Sequence, residues 1–346
     1  MNFQIAKLNT ISVHYAGNKS TDQRLTLSKE ALQLDEELKE KVKDYFLNRF
    51  INVFDKYKFT HPSSLQYNEV YNFAAGVFSA ENSVHLTSVQ IAKHLYEHSV
   101  HPKVKGGEVY VCTFEDCVFE NETVAAFGIF KTENKASYFE VNEEKSRFSI
   151  ALREGLDMNK LDKGCLIFNT NKEDGFHVLI LDGQSRGEEA QYWRENFLGL
   201  TQVKDEFHQT NEFLNLTKNF VTKQIGQEFE VSKTDQIDLL NRSVNYFKKN
   251  ESFEKAHFEK EVFQDEGLIK SFREYDQSYR QDHEMELSDQ FDISQQAVKK
   301  QARVFKSVLK LDKNFHVYIH GSKEMIEHGV DPDGRKYYKL YYKEES

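Results

Sequence analysis

The sequence predicts an α+β protein: N-terminal helices with a mainly antiparallel sheet, then a mainly helical C-terminal domain ending in a β-hairpin. Apolar residues recur at helical spacing over roughly the first hundred positions, alternate from residue 106 to 181, and return to helical spacing before a last alternating stretch. Connections such as Glu133-Asn-Lys135 and Lys172-Glu-Asp-Gly175 are too short for parallel crossovers and suit an antiparallel meander.

In chain order, residues 3–15 read as a strand broken near Asn9, followed by the loop Gly17-Asn-Lys-Ser-Thr-Asp22. Leu38, Val42, Tyr45, Phe46, Arg49, Phe50 and Val53 place an amphipathic helix over 35–57, with Lys39, Glu40, Lys41 and Lys43 on its wet side. Further helices are expected over 68–78 and 87–99, the second region closed by Pro102. Gly106-Gly107 opens the sheet, with strands over 108–114, 123–130, 137–141, 164–169 and 176–181. Asp182-Gly183 then turns the chain into a hinge that holds the sole tryptophan, Trp193, at mainly helical offsets with Tyr192, Phe197 and Leu200; Gly199 stops it. Beyond it, helices are expected over 207–222, 236–248, 252–263 and 295–311, and strands over 315–320 and 336–343. Asp331-Pro-Asp-Gly334 supplies the hairpin turn. The two domains on this reading are 1–181 and 182–346.

A chain of 346 residues is long enough for a sizeable core and suggests two domains, or one large domain with an appendage. With 28 Phe and 17 Tyr against 3 Pro, it is expected to be ordered. The three cysteines, an odd number, fall in or beside strand-like runs; reduced thiols are expected, Cys112 as packing and Cys117 as a turn-side thiol. No apolar run reaches membrane-spanning length, and the N-terminus lacks a signal-peptide block, so a cytoplasmic location without a membrane partner is expected. The formal net charge of -10 disfavours a diffuse nucleic-acid surface; phosphate binding would need a segregated cationic patch.

The charge distribution offers a candidate for such a patch. Residues 251–298 hold 13 acidic and 5 basic side chains, whereas 299–346 hold 11 basic and 7 acidic. Lys299, Arg303, Lys306, Lys310 and Lys313 follow spacings of 4, 3, 4 and 3, which aligns them on one side of a helix that reaches so far, beside a stripe of Val298, Ala302, Phe305 and Leu309. Arg335, Lys336 and Lys339 form a second cluster. A row of this kind can lie along a phosphate backbone; it can also be a solvated face, or pair with the acidic stretch before it.

The remaining motifs carry less. His94-Leu-Tyr-Glu-His98 matches the H-x-x-E-H pattern of inverted zinc peptidases on a helix, but no third ligand or open coordination position can be assigned. Asp331-Pro-Asp-Gly334 lacks the remaining ligands of a calcium loop, and Gly106-Gly107 lacks the Lys-Ser/Thr and the helix of a phosphate cradle. There is no nucleophile elbow, zinc finger or RNA-recognition signature. No catalytic residue, metal ligand or cofactor is assigned.

Several elements in order resemble the bacterial nucleoid-associated NdpA/YejK family. They are the opening Ile5-Ala-Lys-Leu-Asn-Thr-Ile-Ser-Val-His14, the pair Gly106-Gly107 before Val109-Tyr-Val-Cys-Thr-Phe114, the aromatic element Asn196-Phe-Leu-Gly199, and Val330-Asp-Pro-Asp-Gly334 before an alternating strand. The likeness spans nearly the whole chain. It implies association with the bacterial nucleoid and DNA binding, with no reaction or cofactor to carry over. It does not identify contact residues.

The expectation is therefore non-enzymatic binding to double-stranded DNA with little sequence selectivity. Phosphates would be neutralised by Lys299, Arg303, Lys306 and Lys310, with Arg335, Lys336 and Lys339 as a second cluster. A homodimer formed through the aromatic side of the helices would double that surface. Two alternatives stay open: a protein-interaction scaffold whose acidic 251–298 segment or aromatic face engages a protein partner, and a metal-dependent hydrolase at His94 and His98.

Overall fold

The computed structural model describes residues 1–182, 192–303, 305, 308–319 and 325–344. The chain divides into two compact units, Met1–Val203 and Lys204–Ser346. The boundary expected from the sequence lies earlier, at 181/182. Part of the expected hinge, residues 183–191, lies outside the described residues; Tyr192–Gln202 packs with the first unit.

The first unit is built on one eight-stranded antiparallel sheet. Its strands are β1 (Lys7–Ala16), β2 (Leu25–Thr26), β3 (Lys56–Phe59), β4 (Gly107–Phe119), β5 (Glu122–Thr132), β8 (Lys163–Phe168), β9 (His177–Asp182) and β10 (Leu200–Gln202), in the order β10-β3-β9-β8-β5-β4-β1-β2. The break expected at Asn9 is a bulge in β1 between Leu8 and Thr10. Alternation explains how the sheet is covered on both sides. Val109, Val111, Ile129, Cys165 and Ile167 face α2 (Glu69–Phe78), α3 (Val84–His98) and a π-helical turn at Tyr192–Phe197. Cys112, Phe114, Phe130, Leu166 and Phe168 face α1 (Glu36–Leu47), where Phe46 stacks on Phe130 at 4.2 Å.

Two sequence expectations change here. The helix expected over 35–57 stops at Leu47, because Asn48, Asn52 and β-branched Ile51 and Val53 are poor helix formers and Lys56–Phe59 pairs with β9 and β10 instead. Residues 137–141 do belong to a strand, β6 (Ala136–Glu144), but it leaves the main sheet. Among the described residues it pairs only with β7 (Arg147–Gly155), which the sequence pattern did not reveal, in a two-stranded ribbon. All three cysteines are free and buried; Cys117 is a core thiol at the β4 bulge rather than a turn-side one, and burial pushes its pKa up to about 12.

The second unit is mainly helical. It comprises α4 (Glu206–Asn219) running through a π-turn into α5 (Ile225–Glu228), α6 (Lys233–Lys249) with a Ser232/Asp235 capping box, α7 (Lys255–Val262), α8 (Glu266–Asp282) and α9 (Gln295–Ala302). Strands β11 (Ser252–Glu254) and β12 (Gln290–Asp292) pair beside them, and two hairpins end the unit: β13 (Val308–Leu311) with β14 (Phe315–Tyr318), and β15 (Ile326–Val330) with β16 (Lys336–Leu340). Helix α8 escaped the sequence reading although Leu268, Phe272, Tyr275 and Tyr279 carry the spacing; its many charges masked the stripe. The core is a phenylalanine cluster in which Phe213 meets Phe253 at 4.3 Å and Phe258 at 5.2 Å. The aromatic side of these helices is thus consumed inside the unit.

Candidate functional site

The cationic end starts on α9. Ser294 caps this helix by accepting from the Ala297 N–H at 3.4 Å, and Arg303 closes it after Ala302. The row expected to continue to 311 on one helix face does not. Phe305 is buried, and Val308–Leu311 alternates: Leu309 packs with Ile237 and Ile319 while Lys310 points to solvent. A left-handed Asp312 (φ 51°) lets the chain reverse and pair Lys310 with His316, so cross-strand pairing replaces the helix the 4-3-4-3 spacing suggested. Lys299 lies on α9, Arg303 at its C-cap and Lys310 on β13; all three are exposed. Lys306 lies outside the described residues.

The second cluster is Arg335 after the hairpin turn and Lys336 and Lys339 on β16, again exposed. Arg335 Nε donates to Asp333 at 2.6 Å, and Lys339 pairs with Glu327 at 3.0 Å. Such solvated pairs are worth little. Lys299, Arg303, Lys310 and Lys336 make no ion pair among the described residues. The acidic segment neutralises its buried carboxylates with its own cations: Arg273 meets Glu259 at 2.6 Å, and Lys255 (2.5 Å) and Arg280 (2.7 Å) meet Asp276. Among the described ion pairs, none joins it to the cationic end.

A second feature is a cleft of about 510 Å³ in the first unit, walled by His61, Tyr67, Glu69, His94, His98 and the chain from Glu195 to Leu200. Asn68 builds one wall. Its Oδ1 caps α2 by accepting from the Tyr71 N–H at 2.9 Å, and its Nδ2 lies 3.0–3.1 Å from the carbonyls of Thr60, Leu198 and Gly199. Gly199 takes φ +63°, and a Cβ there would lie 2.5 Å from that amide nitrogen. The Asn196-Phe-Leu-Gly199 element therefore needs its glycine to close on Asn68.

His94 and His98 share a face of the last turns of α3, their ring centroids 4.5 Å apart. His94 Nε2 lies 3.0 Å from the Phe197 carbonyl, and its Nδ1 faces a carboxylate oxygen of Glu69. Burial lowers the His98 pKa, helped by its neighbour His94. One ligand atom from each of Glu69, His94 and His98 lies within 4.8 Å of the others. The two histidines are visible in the sequence pattern but Glu69 is not, since its only signal is its place beside a helix-capping Asn68. Glu97 of the H-x-x-E-H pattern pairs with Lys19, so it does not stand beside the histidines as the base of a peptidase.

What the geometry defines is an α+β protein of two units, one with an exposed cationic end and one with a histidine cleft. The family described as nucleoid-associated protein YejK matches residues 12–334 of the 346, and the chain belongs to it. That membership assigns it a nucleoid-associated role. No curated protein matches the chain. Among the described residues, no helix is long and apolar enough to cross a membrane.

Proposed function

We propose that the chain binds double-stranded DNA in the cytoplasmic nucleoid, without catalysing a reaction on it and with little sequence selectivity. The observation that carries this is a set of exposed cations, Lys299, Arg303, Lys310 and Lys336, without ion-pair partners among the described residues, in a stretch that follows an acidic segment whose buried Glu259 and Asp276 pair with its own Arg273, Lys255 and Arg280. Lysines and arginines of this kind replace counterions on phosphates and read no base edges. Arg335 and Lys339 extend the set by exchanging weak surface pairs for phosphate contacts. Lys306 belongs to the proposal on its sequence position alone.

The test uses unrelated duplexes of equal length at one salt concentration. The reading expects their affinities to agree within about tenfold, well short of the preference of a specific reader for its site. The duplexes come out unchanged in length and strandedness. A preference of a thousandfold for one sequence, or cleavage of the duplex, contradicts it.

We also propose a homodimer, formed through the β6–β7 ribbon rather than through the helical aromatic face. Register places Phe139 opposite Leu152 and Val141 opposite Ile150, so these and Phe148 share one face, each between 60% and 74% exposed. An isolated two-stranded ribbon is marginal in water, and a second copy of the same face would cover it about a twofold axis.

A further inference from the structure

We propose that Glu69, His94 and His98 form a binding site for one divalent transition-metal ion of the zinc class, open toward the cleft through its remaining coordination positions. The inference is independent of the DNA reading.

The first constraint is the His94 ring. A backbone carbonyl only accepts, so the contact with Phe197 O at 3.0 Å places the hydrogen on Nε2. In the neutral ring Nδ1 then presents a lone pair, and what it faces is the Glu69 carboxylate, another lone-pair donor. The two are compatible only with a cation between them, either a proton on Nδ1 or a metal ion. His98 is the observation that points to a metal. Its ring stands edge-on to His94 with centroids 4.5 Å apart, and it brings a third ligand atom within 4.8 Å of the other two. A proton shared by two groups has no use for a third donor, whereas an ion does.

The surroundings match what metal-ligating histidines need. His94 is oriented by donating its other N–H to a backbone carbonyl, the usual outer-shell arrangement, and Phe73 and Phe197 pack on its ring at 6.5 and 5.5 Å. Two imidazoles and a carboxylate suit zinc and its neighbours rather than magnesium or calcium, which prefer oxygen. Seating an ion requires the close Glu69–His94 contact to open. Glu69 can supply that movement because its side chain is 62% exposed while that of His94 is 13% exposed. The ion would tie the start of α2 to the end of α3 and, through His94, to Phe197 of the Asn196-Phe-Leu-Gly199 element.

The experiment uses the full chain stripped with chelator and titrated with Zn²⁺ by calorimetry, and with Co²⁺ by visible absorption. The expected result is one saturable ion per chain that Mg²⁺ does not displace, with ligand-field bands for cobalt. Glu69→Gln and His98→Gln each weaken it at least tenfold, while His316→Gln on β14 leaves it unchanged. Far-UV circular dichroism checks the fold, and if His98→Gln does not fold, the exposed Glu69→Gln decides alone. Absence of saturable binding overturns the proposal, as does binding equal in the intact chain and the folded cleft variants. A Glu69→Gln variant that loses stability while the intact chain takes up no metal also overturns it, assigning a proton to the shared position.

Discussion

The histidine cleft and the cationic end differ in how their polar groups are held. In the cleft Asn68 and His94 are fixed by named partners: Asn68 bridges three carbonyls, His94 is pinned between Phe197 and Glu69, and Gly199 takes a left-handed conformation where a Cβ would meet the Asn68 amide. At the cationic end Lys299, Arg303, Lys310 and Lys336 are exposed, without ion-pair partners among the described residues. A site for a small ion needs fixed geometry, whereas a surface for a polyanion needs charge density and little geometry. The first should be costly to alter and the second nearly free, and mutation can break that contrast.

The largest expected effect lies at a buried lysine beside Tyr192. Lys131 is fully buried and donates to the Lys105 carbonyl at 2.5 Å and to Glu133 at 3.0 Å, with the Tyr192 hydroxyl at 3.4 Å. Lys131→Ala leaves Glu133 without its cation and should cost about 3–5 kcal/mol in chemical denaturation. Asn68→Ala removes a helix cap and the donor to the wall carbonyls, a loss of about 2–3 kcal/mol by the same measurement.

Acid should loosen the helix that carries both histidines. His14 on β1 bonds Ser88 of α3 at 2.8 Å and accepts from the Ser28 N–H at 3.1 Å, and burial lowers its pKa to about 4. Between that value and the unfolded value near 6.5 the unfolded chain binds the extra proton, so stability is complete above about pH 6.5 and falls as pH drops toward 4. The expected loss is about 2 kcal/mol, read as the part of the pH dependence of unfolding that His14→Gln removes. Gly199→Ala should cost about 1–2 kcal/mol, from the left-handed backbone and the displaced Asn68 amide. At the other extreme, Lys299→Gln, Arg303→Gln, Lys310→Gln and Lys336→Gln should each change stability by less than about 0.5 kcal/mol. A large loss from any of these four would mean that the cationic end is structural after all.

The legible parts of the fold are those where local and tertiary signals agree. Strand β8 reads as a continuous apolar run and is buried on both faces; Asn68 before Glu69 announces α2, and Gly334 at φ +85° closes the hairpin turn read from Asp331-Pro-Asp-Gly334. What could not be read was partner choice. Phe139 and Val141 alternate like core residues, yet β6 pairs with β7 outside the main sheet, and Val308–Leu311 fits a helical row as well as a strand until Phe315–Tyr318 pairs with it. The site followed the same rule. His94 and His98 share a helix face by spacing alone, but Glu69 joins them only because α2 and α3 pack together, which no local pattern encodes.

The central claim, that exposed cations of the second unit bind DNA through its phosphates, is tested most directly by DNA affinity across a salt series. The intact chain is compared with the variant carrying Lys299→Gln, Arg303→Gln, Lys310→Gln and Lys336→Gln. The expected result is a steep linear fall of log affinity with log salt in the intact chain and a slope shallower by up to about 3.6 in the variant, near 0.9 for each phosphate that the variant no longer neutralises. Equal slopes would place the DNA-binding surface elsewhere, and no binding at low salt would end the DNA reading and leave a protein partner as the ligand to seek.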